Sequence, residues 1–230
     1  MIIHFLGEGM IIPFVANDLF RVNENLEVQF VEDVIIIDDY YKNYDKIYEV
    51  LINMPVPRWK WSSNTRNFKD YYDCRPRISN SWYSVEYEMS ILNIYNIIKK
   101  YYNDKEELSI ERADYEFNYL KHIKNIPDNN FQFYPHTDST YASIIFLDKI
   151  SSGGTAIYKD SYDITNKEDE YLFYDVGKMN KRVIKSKPNR HIIFKSTNYH
   201  GGYIEDHKKY INDWRINQVM FYNKKVKGDK

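Results

Sequence analysis

The hydrophobic pattern of the first hundred residues predicts a strand followed by two helices. β-Branched residues cluster at 31–37, which is typical of a buried strand. Apolar residues then recur three and four positions apart over 44–54 and over 85–102, so each segment is predicted to form an amphipathic helix. Pro55 ends the first helix because proline lacks the N–H that a helix interior needs.

Beyond residue 107 the pattern changes to short segments in which apolar and polar residues alternate. Alternation with a period of two indicates strands with one buried face. The sequence Ser-Ser-Gly-Gly at 151–154 predicts a turn between two of them. We therefore predict an α+β, mainly β fold: a double-stranded β-helix, or jelly roll, supported by N-terminal helices. The predicted strands span 116–123, 141–147, 155–158, 182–185, 191–195 and 215–222.

Size and composition fit one folded domain. The chain has 230 residues, of which 43% are hydrophobic and 28% charged, and its formal net charge is -1. This balance argues against nonspecific binding of nucleic acid or membranes. We predict a single domain, 1–230, in which residues 1–107 supply strands, helices and a candidate substrate lid, and residues 108–223 form a jelly-roll catalytic core.

Several features favour a cytoplasmic protein. Cys74 is the only cysteine, so no disulfide forms within the chain and a reducing compartment is favoured. Residues 1–8 are apolar, but they lack a basic leader and Glu8 interrupts them, so they are predicted to form a strand rather than a signal peptide. No apolar run approaches the roughly 18–20 residues of a membrane helix. Abundant Ile, Asn and Tyr are typical of an A+T-rich genome, viral or bacterial.

Three residues in the C-terminal half have the chemistry of a metal site: His136, Asp138 and His200. Side chains two positions apart in an extended chain point the same way, so His136 and Asp138 can bind one ion from one strand end. Two imidazoles and one carboxylate bind Fe(II) on one face and leave positions open for other ligands. Zinc accepts the same ligand types, so the set alone does not decide the metal.

His207 is the competing candidate for the distal ligand, because it follows His200 closely in the chain. We favour His200, since Gly201 and Gly202 follow it and glycine allows the backbone to approach a crowded ion. His207 lies in a polar stretch that is predicted to be a solvated loop. The remaining histidines, at positions 4, 122 and 191, fall in predicted strands and are predicted to be structural.

The order of these residues resembles the Fe(II)/2-oxoglutarate-dependent dioxygenases, in particular the prolyl 4-hydroxylase-like branch. The resemblance covers about residues 108–223 and rests on an ordered series of motifs: Asn118-Tyr119-Leu120, His136-Thr137-Asp138, Ser152-Gly153-Gly154-Thr155, Asn198-Tyr199-His200-Gly201-Gly202 and Trp214-Arg215-Ile216-Asn217. It implies that His136, Asp138 and His200 bind Fe(II) and that 2-oxoglutarate and O2 are co-substrates. It also implies hydroxylation of an unactivated C–H bond, with release of succinate and CO2.

The resemblance further assigns residues to 2-oxoglutarate. Arg215 heads the strand after the distal histidine, from which a basic residue of the family pairs with the distal carboxylate, and a guanidinium suits a bidentate pairing. Asn217 takes the place where many relatives carry a serine that shares this carboxylate, and the hydroxyl of Tyr119 is a further candidate. The interval from the distal histidine is slightly long for the family, so Arg190 and Lys195 stay open as alternatives.

These motifs do not specify the substrate. Residues 58–83 concentrate basic and aromatic side chains. Three interpretations stay open: a lid over a small-molecule or peptide substrate, a nucleic-acid surface with stacking aromatics, or a loop packed on the jelly roll. The competing function is a non-catalytic, cupin-like module that binds a metal or ligand, which would need the triad but not Arg215. The sequence indicates no oligomeric state.

Overall fold

The structure, a computed structural model, describes residues 3–6, 10–13, 19–52, 60–61, 71–75, 85–103, 108–122, 135–138, 140–159, 180–210, 213 and 215–224. Within these ranges the chain forms two α-helices, α1 (Tyr44–Ile52) and α2 (Val85–Tyr102), and a short 3-10 helix, His207–Tyr210. The strands of the same ranges are β1 (Ile3–Leu6), β2 (Met10–Pro13), β3 (Val28–Val31), β4 (Val34–Ile37), β5 (Lys60–Trp61), β6 (Tyr71–Arg75), β7 (Leu108–His122), β8 (Tyr141–Phe146), β9 (Gly153–Tyr158), β10 (Lys181–Lys185), β11 (His191–Lys195), β12 (His200–Ile204) and β13 (Arg215–Lys224).

The described strands form two larger antiparallel sheets and a hairpin. An eight-stranded sheet has the order β3-β4-β11-β8-β13-β7-β6-β5, a three-stranded sheet has the order β10-β9-β12, and β1 pairs with β2. Strands that precede residue 107 form both edges of the eight-stranded sheet, and later strands form its centre. The predicted boundary at 107/108 therefore does not coincide with a division between sheets.

The eight-stranded sheet carries a different apolar core on each face, because successive side chains of a strand point in opposite directions. One set of alternating residues packs against α1 and α2, and we call this side of the sheet the helix face. The core on this side contains, from the strands, Ile35, Ile37, Ile145, Ile193, Ile216, Met220 and Tyr222 and, from the helices, Ile47, Leu51, Ile94 and Ile98. The intervening residues point toward the three-stranded sheet, and we call the facing surfaces of the two sheets the inter-sheet face. Its buried apolar core is Val34, Ala142, Phe146, Ile184, Ile192 and Phe194, with Ile157 partly buried against it.

The predicted secondary structure is confirmed in most of these elements. Helix α2 covers the predicted 85–102 and α1 covers 44–52. Strands β8, β9, β10, β11 and β13 overlap the predicted strands, whereas β12 is not among the predicted ones. Residues 53–54 and 123 lie outside the described ranges. The described part of the chain is thus mostly β, with two α-helices and antiparallel sheets. None of the described helices is both long and apolar enough to cross a membrane.

Two predictions at turns are wrong. The segment 31–37 is not one strand, because Glu32 and Asp33 adopt φ values of 47° and 63° and form the turn between β3 and β4. Two consecutive residues with positive φ are typical of the tight turns whose twist fits a hairpin. The predicted turn over 151–154 is too long at its C-terminal end, because Gly153 and Gly154 are the first two residues of β9.

Candidate metal centre

His136 and His200 lie side by side in an isolated antiparallel bridge. The backbone N–H of each donates to the carbonyl oxygen of the other, at 2.9 Å in both directions. His200 is the first residue of β12, the outer strand of the three-stranded sheet, and His136 pairs with it there. This pairing brings the two imidazole rings to 4.6 Å between centroids, although they are far apart in the sequence.

Asp138 is held beside the two histidines by a further backbone hydrogen bond. Its N–H donates to the carbonyl of Ser196 at 2.9 Å. Its Oδ2 lies 3.3 Å from Nε2 of His136 and 3.1 Å from Nε2 of His200. One ligand atom of each of the three residues lies within 4.8 Å of the other two. A single cation between them can contact two imidazole nitrogens and one carboxylate oxygen, a donor set that fits Fe(II).

His136 and His200 differ in burial and in the contacts that hold their imidazole rings. The side chain of His200 is 6% exposed, its ring contacts that of Phe194 edge to face, and its Nδ1 lies 3.0 Å from the carbonyl of Asn198. With a cation bound, donation from Nδ1–H to that carbonyl would leave the lone pair of Nε2 directed at the ion beside Asp138. The side chain of His136 is 47% exposed, so the candidate centre is open to solvent on this side.

Asp138 is ionised in this setting. Burial opposes ionisation, but the hydrogen bonds and charges of His136 and His200 outweigh it and hold the pKa of the Asp138 carboxyl well below its usual range. Metal binding requires deprotonated ligands, so an ionised carboxylate between two imidazoles is the state that binds a divalent cation.

The glycine pair at the start of β9 sets the spacing of strands within the three-stranded sheet. A Cβ atom on Gly153 would lie 2.1 Å from the carbonyl oxygen of Tyr203, and one on Gly154 would lie 1.9 Å from that of Ile184. Only glycine therefore lets β9 lie this close to its neighbours β12 and β10. The carbonyl of Gly154 accepts a hydrogen bond from Nη2 of Arg215 at 3.1 Å, which joins the three-stranded sheet to β13.

Arg215 is a buried cation on the inter-sheet face. It is 6% exposed, and Asn217, two residues further along β13, is 4% exposed. In the amide orientation that satisfies both groups, Oδ1 of Asn217 accepts a hydrogen bond from Nη1 of Arg215 at 2.6 Å. Because burial of a charge is costly, this guanidinium is suited to bind a carboxylate that lies between the sheets.

Asp148 faces Arg215 across the ladder between β8 and β13. The N–H of Leu147 donates to the carbonyl of Ile216 at 2.8 Å, so the next cross-strand pair of the antiparallel register is Asp148 with Arg215. Asp148 is 2% exposed. Its Oδ1 accepts a hydrogen bond from the N–H of Ile150 at 3.1 Å, whereas its Oδ2 has no hydrogen-bond partner among the described residues.

Thr155 supplies another buried oxygen on the inter-sheet face. It follows Gly154 in β9, it is 1% exposed, and its Oγ1 has no hydrogen-bond partner in the described part of the chain. Buried polar atoms in proteins are nearly always hydrogen-bonded. The Thr155 hydroxyl can donate a hydrogen bond to a small acid bound between the sheets, and Asp148 can do so when its carboxyl group is protonated.

The sequence leaves three basic residues open as the one that binds the distal carboxylate, and their surroundings in the structure differ. Arg215 lies on the inter-sheet face, whereas Arg190 donates from Nε to Oδ1 of Asp38 at 2.6 Å, and Lys195 is exposed and lies over the ring of Tyr102. Among these three, Arg215 is therefore the candidate for binding an acid between the sheets.

Two residues of the sequence analysis cannot be placed in the site. Tyr119 pairs in register with Ile216, whereas Leu120 pairs with Arg215. The side chains of Tyr119 and His207 lie outside the described residues, so their roles stay predictions. Conversely, the sequence does not predict Asp148 or Thr155 as site residues, although Thr155 ends the motif that contains Gly153 and Gly154. A signal for Asp148 exists, because the alternation of positions 142, 144 and 146 continues to it.

No protein-family model and no curated protein matches the sequence. Solved structures match the fold. HygX from Streptomyces hygroscopicus, solved with nickel and 2-oxoglutarate bound, matches with a TM-score of 0.53 and 9% identity over 84% of each chain. This chain has the fold of HygX. An oxidoreductase of the 2OG-Fe(II) oxygenase family from Burkholderia pseudomallei matches with a TM-score of 0.47 and 12% identity, covering 89% of this chain and 93% of that one. AviO1 from Streptomyces viridochromogenes Tue57 gives 0.47 and 10%, with coverages of 94% and 96%.

Proposed function

We propose that this protein is an Fe(II)- and 2-oxoglutarate-dependent oxygenase, a hydroxylase of the prolyl 4-hydroxylase-like branch with a double-stranded β-helix as its core. The observation that carries the proposal is the meeting of His136, Asp138 and His200 in a structure that also buries Arg215 between its sheets. The fold shared with HygX, which was solved with nickel and 2-oxoglutarate bound, supports the same class of ligands here.

The described residues divide the ligands between two places. His136, Asp138 and His200 would hold Fe(II), and Arg215 with Asn217 would hold the distal carboxylate of 2-oxoglutarate. When bound, the metal and co-substrate supply the oxidising chemistry by which R–H, O2 and 2-oxoglutarate become R–OH, succinate and CO2. The hydrogen bond from Arg215 to the carbonyl of Gly154 fixes the guanidinium relative to β9, which pairs with the strand of His200.

The chain's own contribution is to orient ligands and to exclude water. The backbone bridge sets the separation of His136 and His200, and the carbonyl of Asn198 orients the His200 ring. Apolar side chains such as Phe194 and Ile157 cover the buried side of the centre, where water would otherwise quench an oxidant. The substrate would therefore approach from the exposed side, next to His136.

The substrate in this proposal is a small molecule or a peptide side chain. Residues 58–83 stay the candidate lid, and within them only β5 and β6 are described, as strands that extend the eight-stranded sheet beyond β7. The single domain 1–230 and the cytoplasmic location are also proposed, on the grounds given by the sequence.

An anaerobic titration tests the proposal. Addition of Fe(II) and then 2-oxoglutarate should produce the visible charge-transfer band of the chelate, and admission of air should produce succinate. Zn(II) in place of Fe(II) is the control and should give neither signal. If the protein binds Fe(II) but gives no band and no succinate, it is a metal-binding module of the cupin kind and the proposal is wrong. A screen of candidate substrates by mass, for the gain of one oxygen atom, would then identify the substrate of an active enzyme.

A further inference from the structure

We propose that Asp148 binds 2-oxoglutarate as a neutral carboxylic acid, donating a hydrogen bond from Oδ2 to the distal carboxylate that Arg215 holds. The inference rests on the proposed function and adds two features to it. The distal carboxylate of the co-substrate gains a third side-chain ligand beside Arg215 and Asn217, and above neutral pH one proton is taken up when the co-substrate binds.

The backbone register places Asp148 next to Arg215. The two residues are cross-strand neighbours at the end of the β8–β13 ladder, and directly opposite residues of an antiparallel pair lie on the same face of the sheet. That face is the inter-sheet face, which also carries Asn217 and, from β9, Ile157. A carboxylate that pairs with Arg215 between the sheets therefore lies within reach of Asp148.

The hydrogen bonds of Asp148 are too few for a buried carboxylate. Tyr210 has one hydroxyl proton, and its oxygen lies 2.6 Å from the carbonyl of Ile150 but 3.4 Å from Oδ1 of Asp148. The proton therefore goes to the carbonyl. What remains for Asp148 is the backbone N–H of Ile150 on Oδ1 and a smaller contribution from its own backbone N–H. Among the described residues, Oδ2 has no hydrogen-bond partner. An ionised carboxylate has about four lone-pair sites to satisfy, so this environment favours the acid.

The charged and titratable groups around Asp148 are consistent with a carboxyl group whose pKa is raised. They are Arg215 from β13, Tyr210 from the 3-10 helix, and Tyr44 and Tyr48 from α1. Burial raises the pKa of all three tyrosines, so they stay neutral. Burial also raises the pKa of Asp148 to about 7, although the charge of Arg215 and the hydrogen bonds act in the opposite direction.

A bound carboxylate should shift this balance further toward the acid. It adds a negative charge next to Asp148 and it engages Arg215, the cation that favours ionisation of Asp148. Below neutral pH, Asp148 is already protonated and binding takes up no proton. Above neutral pH, Asp148 is ionised in the free protein, and one proton must be taken up for the co-substrate to bind. The affinity for 2-oxoglutarate should therefore fall as the pH rises.

Anaerobic binding measurements on the Fe(II)-loaded protein test the inference. The Kd of 2-oxoglutarate, followed by the charge-transfer band from pH 6.5 to 9, should rise with pH and approach about tenfold per pH unit. Calorimetry in buffers with different ionisation enthalpies should show the uptake of about one proton at the alkaline end of this range. In Asp148→Asn, whose amide donates a hydrogen bond but does not titrate, the Kd should not depend on pH and no proton should be taken up.

The matched control is Thr155→Val, which removes the other buried oxygen without a partner on the same face. It should retain the proton uptake of the wild type, whatever its own Kd. A wild type without proton uptake, or an Asp148→Asn variant that still shows it, overturns the inference and leaves the proposed function standing. Absence of the band at every pH in all variants overturns the proposed function as well.

Infrared difference spectroscopy of the wild type covers the case in which Asp148→Asn does not fold. Binding of 2-oxoglutarate above neutral pH should produce the C=O stretch of a protonated carboxyl group. A purely structural Asp148 that stays ionised to hold Arg215 would not produce this band, and its absence overturns the inference.

Discussion

The two faces of β13 are buried to a similar degree, yet they carry different kinds of side chain. Ile216, Met220 and Tyr222 point to the helix face, where they pack against residues of α1 and α2. Arg215 and Asn217 alternate with them and point between the sheets, and both are less than a tenth exposed. Burial alone therefore does not separate the core from the candidate site.

Charge separates the two faces. The helix face also buries polar groups, but they are neutral: the hydroxyl of Tyr41 donates to Oε1 of Gln218 at 2.9 Å, and burial lowers the pKa of His191 to about 3. The inter-sheet face buries a guanidinium and a carboxyl group side by side. Side chains one position apart along the strand therefore divide into those that pack in the core against the helices and those that we propose to bind ligands. Substitutions on the helix face should lower the stability of the protein, whereas substitutions of the candidate ligands should lower its activity or ligand affinity.

Of the substitutions considered, Asp138→Ala should have the largest effect, which should fall on metal binding and activity and not on stability. Loss of the one anionic ligand should lower succinate formation by at least about 100-fold, since even residues that only orient a ligand contribute on the order of 10- to 100-fold. Fe(II) binding should be lost as well, while unfolding by urea stays near that of the wild type. Asp213→Ala, at an exposed aspartate, is the control. Full activity of Asp138→Ala would exclude this residue as a ligand.

Ile193→Ala should have the converse effect on the helix face. Ile193 is completely buried in the core against the helices, so its truncation should lower the free energy of unfolding by about 2–5 kcal/mol. The Kd for 2-oxoglutarate of the remaining folded protein should not change. Ile52→Ala, at a more exposed isoleucine of α1, should cost less than about 0.5 kcal/mol. Equal loss of stability in both variants would contradict the assignment of this core.

Arg215→Lys should weaken co-substrate binding without affecting the metal. Lysine keeps the charge but loses the planar fork, so we expect the Kd for 2-oxoglutarate to rise by about 10- to 100-fold, or roughly 1.4–2.8 kcal/mol. The anaerobic charge-transfer titration measures this. Arg190→Lys is the matched control, because Arg190 is paired with Asp38. The reverse result, weaker binding in Arg190→Lys alone, would make Arg190 the anchor.

His191→Phe should have the smallest effect, and only in acid. The pKa of His191 lies near 3 in the folded protein and near the ordinary 6.5 when unfolded, so protons bind the unfolded state preferentially between these values. The stabilisation by neutral His191 is therefore complete above pH 6.5 and is lost as the pH falls, by up to about 1.4 kcal/mol per unit. His191→Phe should reduce this dependence in urea unfolding between pH 6.5 and 5.5, by about 1 kcal/mol. If the free energy of unfolding of His191→Phe falls with pH as steeply as that of the wild type, His191 is not the source of this pH dependence.

The sequence predicts elements that depend on local pattern, and it misses those that depend on pairing. Local pattern is sufficient for α2, which has one clear helical period, and for β11, which is a short apolar run typical of a buried strand. The turn at Glu32 and Asp33 is missed because β-branched residues flank it on both sides.

The candidate ligands are visible in the sequence for a different reason. Histidine is rare in this chain and its chemistry is specific, so His136 and His200 can be singled out without knowing how they meet. The pairing of Asp148 with Arg215 cannot be found in this way. It depends on the register between β8 and β13, which packing of the whole sheet sets.

The absence of side chains at Gly153 and Gly154 has a consequence for how this protein can diversify. Any larger residue at either position must displace β12, which begins with His200, or β10 on the other side of β9. Saturation mutagenesis should therefore recover almost only glycine at both codons. Variants with altered substrate preference should instead carry their changes around the solvent-exposed rim near His136, where the backbone spacing of the interior is not disturbed.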